Sequence, residues 1–149
     1  MIAVIQRCLE ASVRVEDRVV AQIDRGILLL LGVETGDQES DSVWLSEKVA
    51  GLRIFADDGE KMNLDVREVG GSILCVSQFT LLADCAKGRR PGFQRSEEPY
   101  RAKSMWAEFC TRLESLGIPV ERGVFAADMK VSLVNDGPVT IILDSRKRH

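Results

Sequence analysis

Cys75–Leu82, CVSQFTLL, and Lys130–Leu143, KVSLVNDGPVTIIL, each set small polar or turn residues inside a strongly apolar strand pattern. The first carries Ser77, Gln78 and Thr80; the second carries Asn135, Gly137, Pro138 and Thr140. A buried polar group without a partner costs about 1–3 kcal/mol, so these residues need hydrogen bonds or a task. The rest of the chain reads as a scaffold that holds the two segments near each other.

Working outward, Ser72–Leu82 is expected to be one strand, with Ser77 and Phe79 on one face and Gln78 and Thr80 on the other. Asn135–Pro138 reads as a hairpin turn between strands Met129–Val134 and Val139–Leu143, because Asp-Gly between apolar strands is a strong turn signal. Gly26–Val33, GILLLLGV, is a buried strand. Met1–Leu9 and Ser12–Ile23 are strands, the second folded into a hairpin around Glu16–Arg18, and Val120–Phe125 is another. Helical spacing runs from about Asp41 to Gly51. A stronger helix covers Glu97–Leu116, with Pro99 in its first turn, a stripe from Ala102 to Leu116, and Gly117 and Pro119 as its stop. Ala83–Ser96 is a long polar loop of the kind that usually carries function. No repeat or linker interrupts residues 1–149, so one mixed α/β domain is expected. It has an antiparallel-rich, barrel-like sheet packed against two main helices.

Composition excludes several classes. Apolar residues make up 45% and charged residues 29%, the balance of a globular chain with a core. The longest apolar run, Ile27–Val33, is too short for a bilayer, and Met1–Leu9 lacks a signal-like core, so a cytoplasmic protein is expected. Cys8, Cys75, Cys85 and Cys110 are scattered and form no CxxC pair, which suits free thiols. The single histidine is His149, the final residue, so a Ser-His or Cys-His nucleophile and a histidine zinc site both lack their central part. The net charge of −3 argues against a protein that coats nucleic acid. Yet Lys87, Arg89, Arg90, Arg95, Arg101 and Lys103 cluster, and Arg146, Lys147 and Arg148 lie at the end, enough to grip a few phosphates.

VSQFTL at Val76–Leu81 and NDGPVT at Asn135–Thr140 resemble the two signature motifs of the D-aminoacyl-tRNA deacylases, the D-tyrosyl-tRNA deacylase family. The likeness extends through VIQRCLEASVRV, GILLLLGVETGD, LRIFADDGEKMN, KGRRPGF and GVFAADMKV. It implies a cytosolic homodimer that hydrolyses the ester between a D-amino acid, or glycine, and the 3′-terminal adenosine of tRNA, with no metal or organic cofactor. By position, it implies a reaction centre at Ser77, Gln78, Phe79 and Thr80. It makes Gly137–Pro138 a cis-proline element that reaches into the partner subunit's pocket, steadied by Arg7, with Met129 lining the pocket. The loop residues Lys87, Arg89 and Arg90, and the tail at Arg146–Arg148, would meet acceptor-stem phosphates. Three positions depart from the pattern: Ala126 and Glu60 stand where glycine is common, and Gly92 where serine is usual.

Backbone amides around Phe79 and Thr80, with Gln78 nearby, suit stabilisation of a tetrahedral oxyanion. Thr80 is the family's candidate nucleophile, but no base in the sequence can take its proton, so a positioning role is expected, with the ribose 2′-OH assisting attack. The rivals are a general esterase using Thr80 or Ser77, a non-catalytic RNA-binding module, for which the sequence shows no aromatic stacking strip, and a small-ligand binder in the same cleft.

Overall fold

A computed structural model describes residues 1–147; Arg148 and His149, including the last tail cation and the only imidazole, lie outside the described residues. Its centre is β1 (Ile2–Val15). One edge of β1 pairs with β8 (Lys130–Asp144) over nearly its whole length. The other edge is shared by β3 (Gly26–Gly32), against residues 2–8, and β2 (Arg18–Ile23), against residues 11–15. Glu16 and Asp17 turn β1 into β2 with φ of +49° and +63°, the left-handed pair that matches the twist of a tight hairpin.

β6 (Ser72–Ser77) lies parallel to β3, and β7 (Val120–Arg122) lies parallel to β6. Parallel neighbours need long crossovers, and these carry the two helices. α1 (Glu39–Ala50) lies between β3 and β6, and α2 (Pro99–Ser115) between β6 and β7. A small pair, β4 (Phe55–Ala56) with β5 (Met62–Leu64), stands apart. The sheet thus runs β2-β1-β3-β6-β7, with β8 on the free edge of β1. Strand twist curls it into a nearly closed, barrel-like form.

Two cores explain why β3 and β6 are almost wholly apolar. Ile27, Leu29, Leu31, Ile73 and Cys75 face the helices, against Leu45, Val49, Trp106, Phe109 and Leu113. Leu28, Leu74 and Val76 face into the curled sheet with Cys8, Ala11, Val13, Ala21 and Ile23. Strands covered on both faces lose the polar half of the alternation. α2 starts where Glu98 accepts hydrogen bonds from the amides of Tyr100 (3.0 Å) and Arg101 (2.5 Å), with Pro99 in its first position. No helix among the described residues is long and apolar enough to cross a membrane.

Three expectations change. The strand through Cys75 ends at Ser77, and Phe79–Leu82 is a 3-10 turn, so Phe79 and Thr80 do not sit on alternating strand faces. Asn135–Pro138 is not a hairpin: β8 is continuous across it, and residues 136–139 loop out between the pairs Gln6–Thr140 and Cys8–Asn135. One long strand results because β1 is long enough to pair both halves, which overrides the local turn signal. Nor do the two motifs lie on neighbouring strands of one chain. Cys8 is level with Gly26 and Ser72, whereas Ser77 is level with Leu31 and Ala3. β3 and β1 stand between β6 and β8 in the sheet, and the loop-out lies about five residues along from the level of Ser77.

The tail reading also changes. The Met1 ammonium is buried against Asp37 (2.8 Å) and the Ser145 hydroxyl (2.7 Å). Arg146 reaches into the same cluster, pairing with Asp37 at 3.1 Å and Glu34 at 3.4 Å and donating to the Thr35 carbonyl at 2.6 Å. Its guanidinium is used in holding the chain ends, not held out for phosphate.

Candidate active site

The site begins where β6 runs out. The Gln78 amide donates to the Leu31 carbonyl at 2.8 Å, the last bond to β3, and the chain then tightens into the 3-10 turn. Gly32 makes this possible: a Cβ there would stand 3.2 Å from the Gln78 carbonyl and 3.4 Å from the Leu81 Cβ. The amides of Phe79 and Thr80 open the turn, so no earlier carbonyl within it accepts from them. Gln78 Nε2 hydrogen-bonds the Thr80 hydroxyl. The nearest side-chain partner of Thr80 is therefore an amide donor, which cannot take up a proton.

Beside the turn lies a cleft of about 640 Å³. Val76, Ser77, Gln78 and Phe79 form one wall; Phe93, Ser96 and the start of α2 form the second; and Phe125 to Met129, with Val131, form the third. Ser77, Gln78, Phe79 and Met129 are thus brought together, while Thr80 is exposed at the rim and joined through Gln78. The Phe79 and Phe93 rings meet edge to face at 5.0 Å, and the Ser96 hydroxyl donates to the Phe79 carbonyl at 3.4 Å. Gly123 makes room for Met129, since a Cβ there would stand 2.9 Å from the Met129 sulfur. Phe93, Ser96 and Phe125 carry no site signal in the sequence, because only the α2 crossover brings them beside β6.

The departures noted in the sequence have a backbone explanation. Ala126, on the cleft rim, has φ of +63°, and Glu60, in the β4–β5 turn, has φ of +61°. Both occupy the left-handed region that glycine enters freely. At Gly92 a Cβ would stand 2.5 Å from the Gln94 side-chain oxygen, so a larger residue there needs that side chain to move.

The carboxylates that line the cleft are already engaged: Glu97 by the Glu98 amide and Arg101, Glu98 by the Tyr100 and Arg101 amides, and Asp128 by Lys130. The Glu98 amide, the closeness of Arg101 and their hydrogen bonds hold the Glu97 carboxyl below its ordinary range. Beneath the wall, burial pushes the Cys75 thiol well up, while hydrogen bonding to Cys75 and the nearby Arg122 bring Cys110 down. Both are fully buried and neither lines the cleft. Among the described residues no group of three or more His, Cys, Asp or Glu side chains could hold a metal ion.

Arg7 holds the loop-out of β8 from three directions. Its Nε donates to the Asp136 carbonyl at 3.1 Å, its Nη1 donates to the Ile54 carbonyl at 2.6 Å, and the Asp136 carboxylate lies 3.3 Å away. Gly137 has φ of +125°, and a Cβ on it would strike Arg7 and Val139, each at 2.9 Å. The Gly137–Pro138 bond is cis. Asn135 closes the loop internally, accepting from the Val139 amide at 3.1 Å and donating to the Thr140 hydroxyl at 3.2 Å. Gly137 and Pro138 are exposed at its tip.

The basic cluster divides. Arg95 is paired with Glu34 at 2.8 Å, and Arg101 is held by Glu97 and the Asp37 carbonyl. Lys87, Arg89 and Arg90 stay exposed on a loop closed by reciprocal hydrogen bonds between Asp84 and Gly92, at 2.7 and 2.9 Å.

The profile of the family described as D-Tyr-tRNA(Tyr) deacylase matches residues 4–144. A D-aminoacyl-tRNA deacylase of Geobacter sulfurreducens is 60% identical over 148 residues, covering 99% of this chain and 97% of its own. One of Pectobacterium atrosepticum is 54% identical over 145 residues, covering 97% and 100%. Among solved structures, a c-Myc DNA Unwinding Element Binding Protein superposes with a TM-score of 0.92 at 37% identity, covering 97% of this chain and 98% of that one. A probable eukaryotic D-amino acid tRNA deacylase gives 0.81 at 16% identity, covering 95% and 97%, a likeness of fold alone.

Proposed function

The chain belongs to the D-Tyr-tRNA(Tyr) deacylase family, and from that premise we propose how its cleft hydrolyses the ester of D-aminoacyl-tRNA and spares the L form. The protein is a hydrolase of that ester, releasing the amino acid and free tRNA. It works as one domain over residues 1–149, in the cytoplasm where aminoacyl-tRNA is used. The observation that carries the mechanism is the pairing of Thr80 with an amide donor beside a cleft whose lining includes no imidazole and whose carboxylates are engaged elsewhere.

An aminoacyl ester is already reactive, so stabilising the tetrahedral oxyanion supplies much of what is needed. The Phe79 and Thr80 amides serve as its donors, and losing one such donor typically costs about 10²–10³ in rate. With its hydroxyl accepting from Gln78, Thr80 is a poor attacker; it positions the ester, and the ribose 2′-OH assists the attacking water. Ser77 and Met129 shape the wall against which the aminoacyl group lies.

Chirality is set by exclusion. Gly137 and Pro138 are exposed and do not line the cleft of their own chain; the tip serves the cleft of a second copy, in a homodimer. Main chain fixed by Arg7 and Asn135 cannot retreat, so an L side chain collides with it, whereas a D side chain points away and glycine has nothing to collide. Glycyl-tRNA is therefore a substrate too. Lys87, Arg89 and Arg90 take acceptor-stem phosphates.

Incubation with matched D- and L-aminoacyl-tRNA tests the reading. Release of the D form alone, with simple esters untouched, supports it; equal release, or hydrolysis of simple esters, favours a general esterase, and binding without release favours an RNA-binding module. Thr80→Val should slow turnover while retaining part of it. Complete loss with binding intact, together with a trapped acyl-Thr80, would make Thr80 the nucleophile.

A further inference from the structure

The Ile54 carbonyl, to which Arg7 donates at 2.6 Å, is itself fixed by a set of bonds that reach across β4 and β5. Ile54 is buried, and the residues on either side of it are both tied to β5. Before it, Arg53 donates through Nε to the Asn63 carbonyl at 2.7 Å and through Nη2 to Asn63 Oδ1. After it, Phe55 is fully buried and pairs with Leu64. Asn63 turns its other end, Nδ2, to Asp57 Oδ2 at 3.1 Å. Asp57 Oδ1 in turn accepts from the Gly59 and Lys61 amides at 2.8 and 3.1 Å.

A side-chain amide engaged at both its oxygen and its nitrogen has one orientation, so Asn63 locks Arg53 to the turn at residues 57–61. Neither Arg53, Asn63 nor Asp57 lines the cleft. Their link to the loop-out of β8 runs through the Ile54 carbonyl and Arg7, whose Nε meets the Asp136 carbonyl at 3.1 Å. If that carbonyl could turn, Arg7 would lose a fixed acceptor and the main chain beside Gly137 would loosen with it. We propose that Asn63 is a positioning residue for the stereochemical selection: it locks Arg53, the lock fixes the Ile54 carbonyl, and that carbonyl aims Arg7 at the loop-out. The inference rests on the reading of Gly137–Pro138 as the element that excludes L substrates. It adds a control point outside both the cleft and the loop-out.

The experiment measures deacylation of matched D- and L-aminoacyl-tRNA well below the melting point of each variant. Asn63→Ala should raise the L rate relative to the D rate about three- to tenfold, within the span over which residues remote from a ligand act on it, with KM for the D substrate unchanged. Arg53→Met cuts the same lock from the exposed side and should do likewise. In an Arg7→Met background Asn63→Ala should add nothing, because its effect passes through Arg7. Asn63→Asp sets a second carboxylate against Asp57 and should shift the ratio too. Joining Asp57→Asn to it should restore the ratio, since the exchanged pair keeps its mutual hydrogen bond and an acceptor for Arg53. Arg67→Ala, which removes the ion pair with Asp65 next to β5 and leaves the lock intact, should keep the wild-type ratio. A lower Tm with an unchanged ratio in Asn63→Ala and Arg53→Met, an equal shift in Arg67→Ala, or additive effects with Arg7→Met would overturn the proposal. An Arg7→Met protein that kept the wild-type ratio would instead sink the reading of Gly137–Pro138 as the excluding element.

Discussion

Replacing Arg7 with methionine isolates the role of the loop-out. The substitution keeps an unbranched stem of similar reach and removes the guanidinium that donates to the Asp136 and Ile54 carbonyls and faces the Asp136 carboxylate. Hydrogen bonds from charged donors contribute about 1.5–3 kcal/mol each, so two at the lower end give about 3 kcal/mol. The ion pair adds under about 1 kcal/mol, since Asp136 is partly exposed and water screens it. Rehydration of the freed carbonyls returns part of this, which leaves a loss of about 2–3 kcal/mol. For a chain of this length that lowers Tm by roughly 4–12 °C. The informative assay is deacylation of matched D- and L-aminoacyl-tRNA, well below both melting points. If the held main chain excludes the L form, its loosening should raise the L rate relative to the D rate by about tenfold or more, since 1.4 kcal/mol is a factor of ten. A destabilised variant with unchanged stereochemical preference would refute the gate; an unchanged Tm would refute the bracing.

Changing Lys87, Arg89 and Arg90 together to glutamine should weaken tRNA binding at low salt and reduce the slope of log affinity against log salt by about 2–3 units; an unchanged slope would remove the loop from the interface. Glu97→Gln should destabilise the protein at neutral pH. Because the folded carboxyl is held low, the lost stabilisation is fully present above the ordinary glutamate value near 4.5 and fades as the pH falls below it, so the two melting curves should converge in acid. Convergence at high pH instead would contradict the assignment. Glu60→Gly should raise Tm by about 2 °C, because removing a left-handed side chain relieves about 1–2 kcal/mol and glycine's added freedom returns about half of it. A fall in Tm would mean that the Glu60 side chain has contacts worth more than its backbone cost.

Much of this architecture is legible in the sequence. The stripe from Ala102 to Leu116, with a proline in front and Gly117 behind, specifies α2 because the signal is local and periodic. GILLLLGV specifies a strand buried on both faces for the same reason. The errors fall where local and distant interactions compete. VSQFTL has strand composition throughout, and its departure from β3 depends on Gly32 admitting the turn, a contact made across the sheet. NDGP is a hairpin signal locally, but the length of β1 decides that the strand continues. Arg7 and Arg146 look alike as isolated cations; one is tied to Asp136 and Ile54, the other to Glu34 and Asp37, and no spacing rule connects those positions. The cleft residues Ser77, Gln78, Phe79 and Met129 are found through the motif resemblance, since each alone reads as an ordinary strand or core residue.

β8 has a further consequence for solubility. Its outer side faces no strand among the described residues, and fifteen residues of bare edge would invite another chain to zip on indefinitely. The ejected residues 136–139 cut that edge into two short lengths, 130–135 and 140–144, too short and too misaligned to template a growing ribbon. The same kink that aims a glycine and a proline outward thus acts as a stop against fibre growth, and straightening it by deleting those residues should yield a protein that precipitates before it melts.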